Sequence, residues 1–363
     1  MNFISTTKGS RLLQRVLAIV LVIATAFTLV PENVLAAGKV SIDTIHISED
    51  VYVEKMADVV EPYLEELIQT GYVTGKKDVS LYYEKYIVKQ AKGTVVISHG
   101  FTENLEKYNE MIYYFTNMGY SVYALEHRGH SRSGRLGKDD TQVNVEDFDY
   151  YVEDLKTFLD KVVVPEASKD NLYLFGHSMG GGIAVRFLET YTKYFDAAIL
   201  SSPMIEVNTG TVPDFLAKAL AYGISYTKYA DEYVLGHGPY TDDYDLAGSG
   251  TSSEVRYNYN YNTRINNEEL RMGGASYRWC SEAFAATYTM RLWCQASKVK
   301  IPVILFQAGQ DTYVGNDGQN TFAKYAKNCE LVRYENAKHE IYAECDEIQT
   351  DYLNKVFGFL ANN

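Results

Sequence analysis

Gly176-His177-Ser178-Met179-Gly180 follows a short apolar run, Leu172-Tyr173-Leu174-Phe175, and precedes a stretch with helical patterning from Gly182 to Thr190. A serine set between glycines at a strand-to-helix turn is held on a strained backbone that presents its hydroxyl, because glycine has no Cβ to collide there. The chemistry such a group offers is nucleophilic attack on an acyl carbon, and it requires a base to take the hydroxyl proton.

Later in the chain two loops supply partners. The run Val303 to Phe306 leads into Ala308-Gly309-Gln310-Asp311, and Leu331 to Tyr334 leads into Glu335-Asn336-Ala337-Lys338-His339-Glu340. Where serine, acid and histidine follow successive strands of one sheet, all three loops open at one edge. Ser178 is therefore the candidate nucleophile, His339 the base and Asp311 the acid that orients it. Glu340 is the rival acid, disfavoured because adjacent side chains project apart. His46 and His237 fall outside the strand pattern, while His127 and His130 precede the serine.

An oxyanion needs two donors. The Met179 amide lies at the start of the helix after the serine, and the loop His99-Gly100-Phe101-Thr102-Glu103-Asn104 offers the Phe101 amide. His99 is expected to shape that loop, since the base is already supplied.

The elements that position these groups alternate. Thr94–Ser98, Ser121–Leu125, Leu172–Phe175, Ala197–Leu200 and Val303–Phe306 are short and continuously apolar, as strands buried on both faces of a parallel sheet are. Phe148, Tyr151, Val152, Leu155, Phe158, Leu159 and Val162 recur at helical steps, with Asn144 placed to cap the turn before them. The expected fold is α/β, a doubly wound and mostly parallel sheet. Between Pro203 and about Lys300 the alternation stops in a segment rich in Tyr, Gly and Asp, too long for a structureless loop. It predicts a largely helical cap over 204–300, inserted before the acid-bearing strand, with the catalytic core divided into 37–203 and 301–363. Within it, Ser276 to Ala296 is expected to form one helix, and Tyr222, Tyr226, Tyr229 and Tyr233 to share one helix face able to line an acyl tunnel.

Residues 1–36 stand apart. Lys8, Arg11 and Arg15 lead an apolar run from Val16 to Val30, and Ala36-Ala37 offers a cleavage site, which together predict a secretory signal peptide and export. A retained membrane anchor is the alternative, against which the shortness of the run argues. The chain of 363 residues carries a formal charge of −13, and losing three cations and one anion with the leader makes the rest more acidic still. That balance repels phosphate backbones and anionic lipid headgroups, so neither nucleic-acid binding nor stable membrane insertion after cleavage is expected. Cys280, Cys294, Cys329 and Cys345 lack CxxC spacing and a histidine cluster, so no metal site is expected. Pairing and free thiols both remain open for them, except that Cys280 and Cys294, fourteen residues apart on one helix, could not bond to each other.

From about Gly93 to the C-terminus the chain resembles the lysophospholipase and monoacylglycerol-lipase branch of the α/β hydrolases, a group placed with serine aminopeptidases. The resemblance is carried by His99-Gly100-Phe101-Thr102-Glu103, Glu126-His127-Arg128-Gly129-His130-Ser131-Arg132-Ser133, Gly176 to Gly182, Asp311 and His339-Glu340. Gly273-Gly274-Ala275-Ser276-Tyr277-Arg278-Trp279 is similar to a segment of bacterial lysophospholipases. Glu126 stands where many relatives have Asp, Ser131 where Gly is usual, and the Tyr-rich middle of the cap matches no familiar pattern. The resemblance implies a cofactor-free hydrolase of single-chain lipid esters. Two alternatives are a serine aminopeptidase, with Asp231, Glu232, Asp242, Asp243 and Asp245 available to hold a substrate ammonium, and a non-catalytic binding module on the same fold.

Overall fold

A computed structural model describes residues 40–167 and 171–363, and Ser41–Asn363 form one compact unit. The expected signal peptide lies outside the described residues. The centre is an eight-stranded sheet: β1 (Ile68–Thr74), β2 (Ser80–Tyr86), β3 (Gly93–Ser98), β4 (Tyr120–Leu125), β5 (Leu172–His177), β6 (Ala197–Ser201), β7 (Val303–Ala308) and β8 (Cys329–Tyr334), in the order β1-β2-β4-β3-β5-β6-β7-β8. From β4 through β3 to β8 all neighbours are parallel, whereas β1 and β2 pair antiparallel at one edge. Every residue of β3, β4, β5, β6 and β7 is buried, which is why those runs lack alternation.

The principal helices are α1 (Asn109–Asn117), α2 (Asp149–Phe158), α3 (Ser178–Thr190), α4 (Asp214–Ser225), α5 (Glu254–Asn266), α6 (Tyr277–Met290), α7 (Asn316–Tyr325) and α8 (Asp346–Asn362). One sheet face is covered by α2, α3 and the inner side of α6, through Leu155, Phe158, Ile183, Phe187, Trp279 and Ala283. The other packs on α1, α8 and the short helices before β1, through Ile112, Phe115, Leu353, Phe357, Met56 and Val60. Helices α4, α5 and α6 all lie between β6 and β7 in sequence, forming the inserted cap.

Three local expectations are corrected. Asn144 does not cap α2; its amide donates to Leu136 O and Asp231 Oδ1, and its Oδ1 accepts from Ser276 Oγ, so it ties the core to the cap. The stretch from Ser276 is capped as a helix by Ser276 Oγ, which accepts from the Trp279 amide at 3.0 Å, but it breaks after Met290 and resumes only as the turn Trp293–Ala296. The four tyrosines do not share a helix face. Helix α4 ends at Ser225, Tyr226 is 89% exposed just beyond it, and Tyr233 is held in an extended bridge to Ser276 with its hydroxyl donating to Asp139.

Candidate active site

Ser178 opens α3 directly after β5, and its φ of +53° is the left-handed backbone that a strand-to-helix turn of this tightness imposes. The neighbouring glycine is obligatory: a Cβ on Gly180 would stand 2.1 Å from the Ser98 carbonyl oxygen. Close approach of α3 to the end of β3 is thus written into the motif.

The loops after β7 and β8 bring Asp311 and His339 to the same sheet edge. His339 Nδ1 lies 2.7 Å from Asp311 Oδ2, and Nε2 lies 2.8 Å from Ser178 Oγ. A carboxylate only accepts, so Nδ1 carries the proton and Nε2 is left to accept from the serine hydroxyl. Asp311 is held from behind, its Oδ1 accepting from the amides of Tyr313 at 2.9 Å and Val314 at 3.0 Å. Burial pushes its carboxyl upward, but the His339 imidazole and these donors outweigh that and hold it below the ordinary aspartate value. It therefore remains an anion at neutral pH.

Glu340 turns away from the imidazole. Its Oε1 sits 2.6 Å from Lys107 Nζ, which also meets Glu103 Oε1 at 2.7 Å, so one ammonium is shared by two carboxylates beside the site. Glu103 in turn accepts from the Gly100 amide at 2.6 Å and from the Tyr108 hydroxyl at 2.5 Å, which fixes the loop carrying Phe101. No hydrogen bond from the Phe101 or Met179 amide is found among the described residues. The Met179 side chain is fully buried, and the Phe101 ring packs 4.5 Å from Trp279 in the cap.

His99 shapes its loop as expected. Its Nε2 accepts from the His127 amide at 2.9 Å, leaving Nδ1 to donate to Gly100 O at 2.8 Å, and full burial pushes its pKa down to about 4. Arg128 binds Asp154 at 2.6 and 2.8 Å, and Glu126 binds the Arg132 guanidinium, so the segment following β4 is scaffold.

Over Ser178 and His339 opens a cavity of about 700 Å³ with two unlike walls. Val212, Leu220 and Ala221 of the α4 region, Val234, Leu235 and Phe284 make one wall apolar. Tyr257, Asn260, Thr263 and Arg264 of α5 make the other polar, with Lys107, Glu340 and Asp245. The sequence did not disclose Lys107, Arg264 or Tyr313 as lining residues. The one local signal was the helical spacing of Asn260 and Arg264 within the Tyr- and Asn-rich run. All four cysteines are free; Cys280 lines the apolar wall, where burial pushes its thiol up to about 12. Among the described residues no His, Cys, Asp and Glu group is arranged to hold a metal ion, and no helix is long and apolar enough to cross a membrane.

A mostly parallel sheet with a serine turn after its central β5, an acid loop after β7 and a histidine loop after β8 defines an enzyme of the α/β-hydrolase fold. Residues 89–346 match the serine aminopeptidase S33 family, and the chain belongs to it. The chain is 28% identical to the probable lysophospholipase L2 of Haemophilus influenzae, over 82% of this chain and 94% of that one. To the lysophospholipase L2 of Escherichia coli K12 it is also 28% identical, over 79% and 85%. The fold is shared with a soluble variant of monoglyceride lipase from Saccharomyces cerevisiae, solved with a substrate analogue, at a TM-score of 0.66 and 20% identity over 82% of this chain and 95% of that one.

Proposed function

We propose that the protein hydrolyses carboxylic esters of single-chain lipids, lysophospholipids or monoacylglycerols, through an acyl-enzyme on Ser178. The carrying observation is the unbroken hydrogen-bond chain from Ser178 Oγ through His339 to Asp311 at the floor of a cavity with one apolar and one polar wall. His339 Nε2 takes the hydroxyl proton as Ser178 Oγ attacks the ester carbonyl. The Phe101 and Met179 amides receive the developing oxyanion, and Asp311 stabilises the imidazolium. Collapse expels the alcohol with the proton from His339; a water then gives a proton to Nε2 as its oxygen bonds to the acyl carbon, and the Ser178 Oγ–acyl bond breaks as His339 returns that proton to Oγ, releasing the fatty acid. An acyl chain fits the α4 wall, with each buried CH₂ contributing up to about 0.8 kcal/mol, and a polar headgroup fits the α5 wall. The names of the relatives support the same class. We take the enzyme to act after export, with residues 1–36 removed.

The aminopeptidase reading requires acids free to hold an ammonium. Of the five cap acids considered for it, Asp231 pairs with Arg278 and Glu232 with Lys138, while Asp245 lines the cavity.

Ser178→Ala is expected to retain the folded melting behaviour while losing ester hydrolysis by roughly 10⁴-fold or more, together with all fluorophosphonate labelling. Undiminished labelling of the variant would exclude Ser178. A parallel assay of monoacyl esters and aminoacyl arylamides decides the substrate class: brisk arylamide cleavage with inert esters would overturn the lipid reading.

A further inference from the structure

The cap loop 245–253 is fastened to the residues on either side of the proposed base and to one that follows the proposed acid. Gly250 O accepts from the Glu340 amide at 2.7 Å, and Ala247 O and Thr251 O each lie 3.3 Å from Lys338 Nζ. The third fastening is Tyr313, whose hydroxyl donates to Gly248 O at 2.6 Å. This residue, two positions after Asp311, also donates its amide to the Asp311 carboxylate. Its ring lies 5.0 Å from the His339 ring at 43°, and the His177 ring also packs against that imidazole, at 4.9 Å. His177 is buried and its pKa is pushed down to about 4 by desolvation, so two neutral rings pack against the base at neutral pH.

We infer that Tyr313 is a positioning residue: its ring holds the His339 imidazole in the plane that joins Asp311 to Ser178, while its hydroxyl fixes the cap loop above it. The proposal rests on the function assigned to Ser178 and His339 above. An imidazole has one free rotation that takes Nε2 off the serine, and packing rings against it removes that freedom. A neutral aromatic ring also tolerates the imidazolium that forms during attack. The two functions reside in different atoms. The ring acts on the base, and hence on the chemical step. The hydroxyl acts on the cap loop, and hence on the shape of the cavity.

That separation sets the experiment. Tyr313→Leu keeps bulk and removes the ring; Tyr313→Phe keeps the ring and removes the tether. Both are to be assayed for kcat and KM on a soluble short-chain p-nitrophenyl ester and for the rate of fluorophosphonate labelling, with thermal melts alongside. Leu should lower kcat and the labelling rate together by roughly tenfold, the scale on which loss of near-attack geometry acts, with KM within about twofold. Phe keeps the ring, so its losses in kcat and labelling should stay well below those of Leu, while loss of the tether to Gly248 O should show as a severalfold rise in KM. Wild-type rates in Leu, or equal kcat losses in Leu and Phe, overturn the proposal. Since Tyr313 is 46% exposed on a loop, unfolding is not the expected outcome, and the Phe arm stands by itself: a large kcat loss there also overturns it. Failure of the underlying reading shows differently, as labelling that persists in Ser178→Ala.

Discussion

The two helices that wall the cavity are attached to the protein in opposite ways. Helix α5 is polar along its length, yet it carries Arg256, a side chain with no exposed surface. That guanidinium meets Glu110 of α1, Asp346 and Gln349 of α8 and the carbonyls of Ile47 and Glu344, and lies over the Tyr52 ring. Helix α4 is apolar and contributes only Ala221 to the buried core, leaving Phe215 at 70% exposure and Leu216 and Leu220 partly bare. Its side of the cap is held to the core through buried residues of α6, through backbone bonds joining Thr141 and Val143 to 273–276, through Asn144 and Tyr233, and through Lys138–Glu232, an exposed ion pair. Hydrophobicity therefore does not mark the fixed wall. The polar helix is the one built into the body of the protein, through a buried charge network, and the apolar helix keeps bare apolar surface for a substrate to cover.

The sharpest way to break this contrast is to remove the α5 anchor. Arg256→Ala leaves the Glu110 carboxylate buried and uncompensated, so unfolding free energy should fall by about 3–5 kcal/mol. Arg256→Lys should recover little of it, because an ammonium cannot span five partners that a planar fork reaches. Denaturant melts measure both, and a loss below about 1 kcal/mol would show that α5 is held by something else.

A smaller effect is expected on the α4 side, and on a different quantity. Leu220 lines the cavity and is 43% exposed, so Leu220→Ser should change stability by no more than about 0.5 kcal/mol. It removes apolar contact only from a chain long enough to reach it. kcat/KM should fall roughly three- to tenfold for long-chain monoacyl esters below their micellar concentration and stay unchanged for acetyl esters. An equal fall for both would mean that α4 acts on the catalytic loops rather than on the acyl chain.

The contrast also explains what the sequence could disclose. Strands β3 to β7 and the serine turn were legible because complete burial and close backbone approach leave only apolar residues and glycine as solutions. The positions of Asp311 and His339 followed, since a parallel sheet sends successive loops to one edge. Strands β1 and β2 were not read. Their burial is partial, and β2 buries Glu84 against Arg132 and two tyrosine hydroxyls, so a charge stands where a strand pattern asks for a hydrophobe. Arg256 was hidden for the same reason, its partners lying 88 to 209 residues away in sequence. The tyrosine rhythm from Tyr222 to Tyr233 misled because local periodicity says nothing of where a helix ends; the Thr227 hydroxyl, bonded to Ile224 O, helps close the turn in which α4 stops.

The smallest expected effect completes the comparison. Lys138 and Glu232 meet across the core–cap boundary with side chains 40% and 53% exposed, so water and salt already screen them. Lys138→Met should therefore cost no more than about 0.5 kcal/mol at low ionic strength, and the difference from the unmodified protein should vanish near 1 M salt, where the Debye length is about 3 Å. The Arg256 guanidinium and its Glu110 partner are buried, where salt screens little, and the deficit of Arg256→Ala should persist across the same salt series. Melts of both variants at low and high salt make the test: a deficit that salt removes at Arg256 and leaves at Lys138 would reverse the assignment of which side of the cap is fixed. If the stated order holds, the polar wall is the fixed template for the headgroup, and adaptation to different acyl chains is confined to the α4 wall.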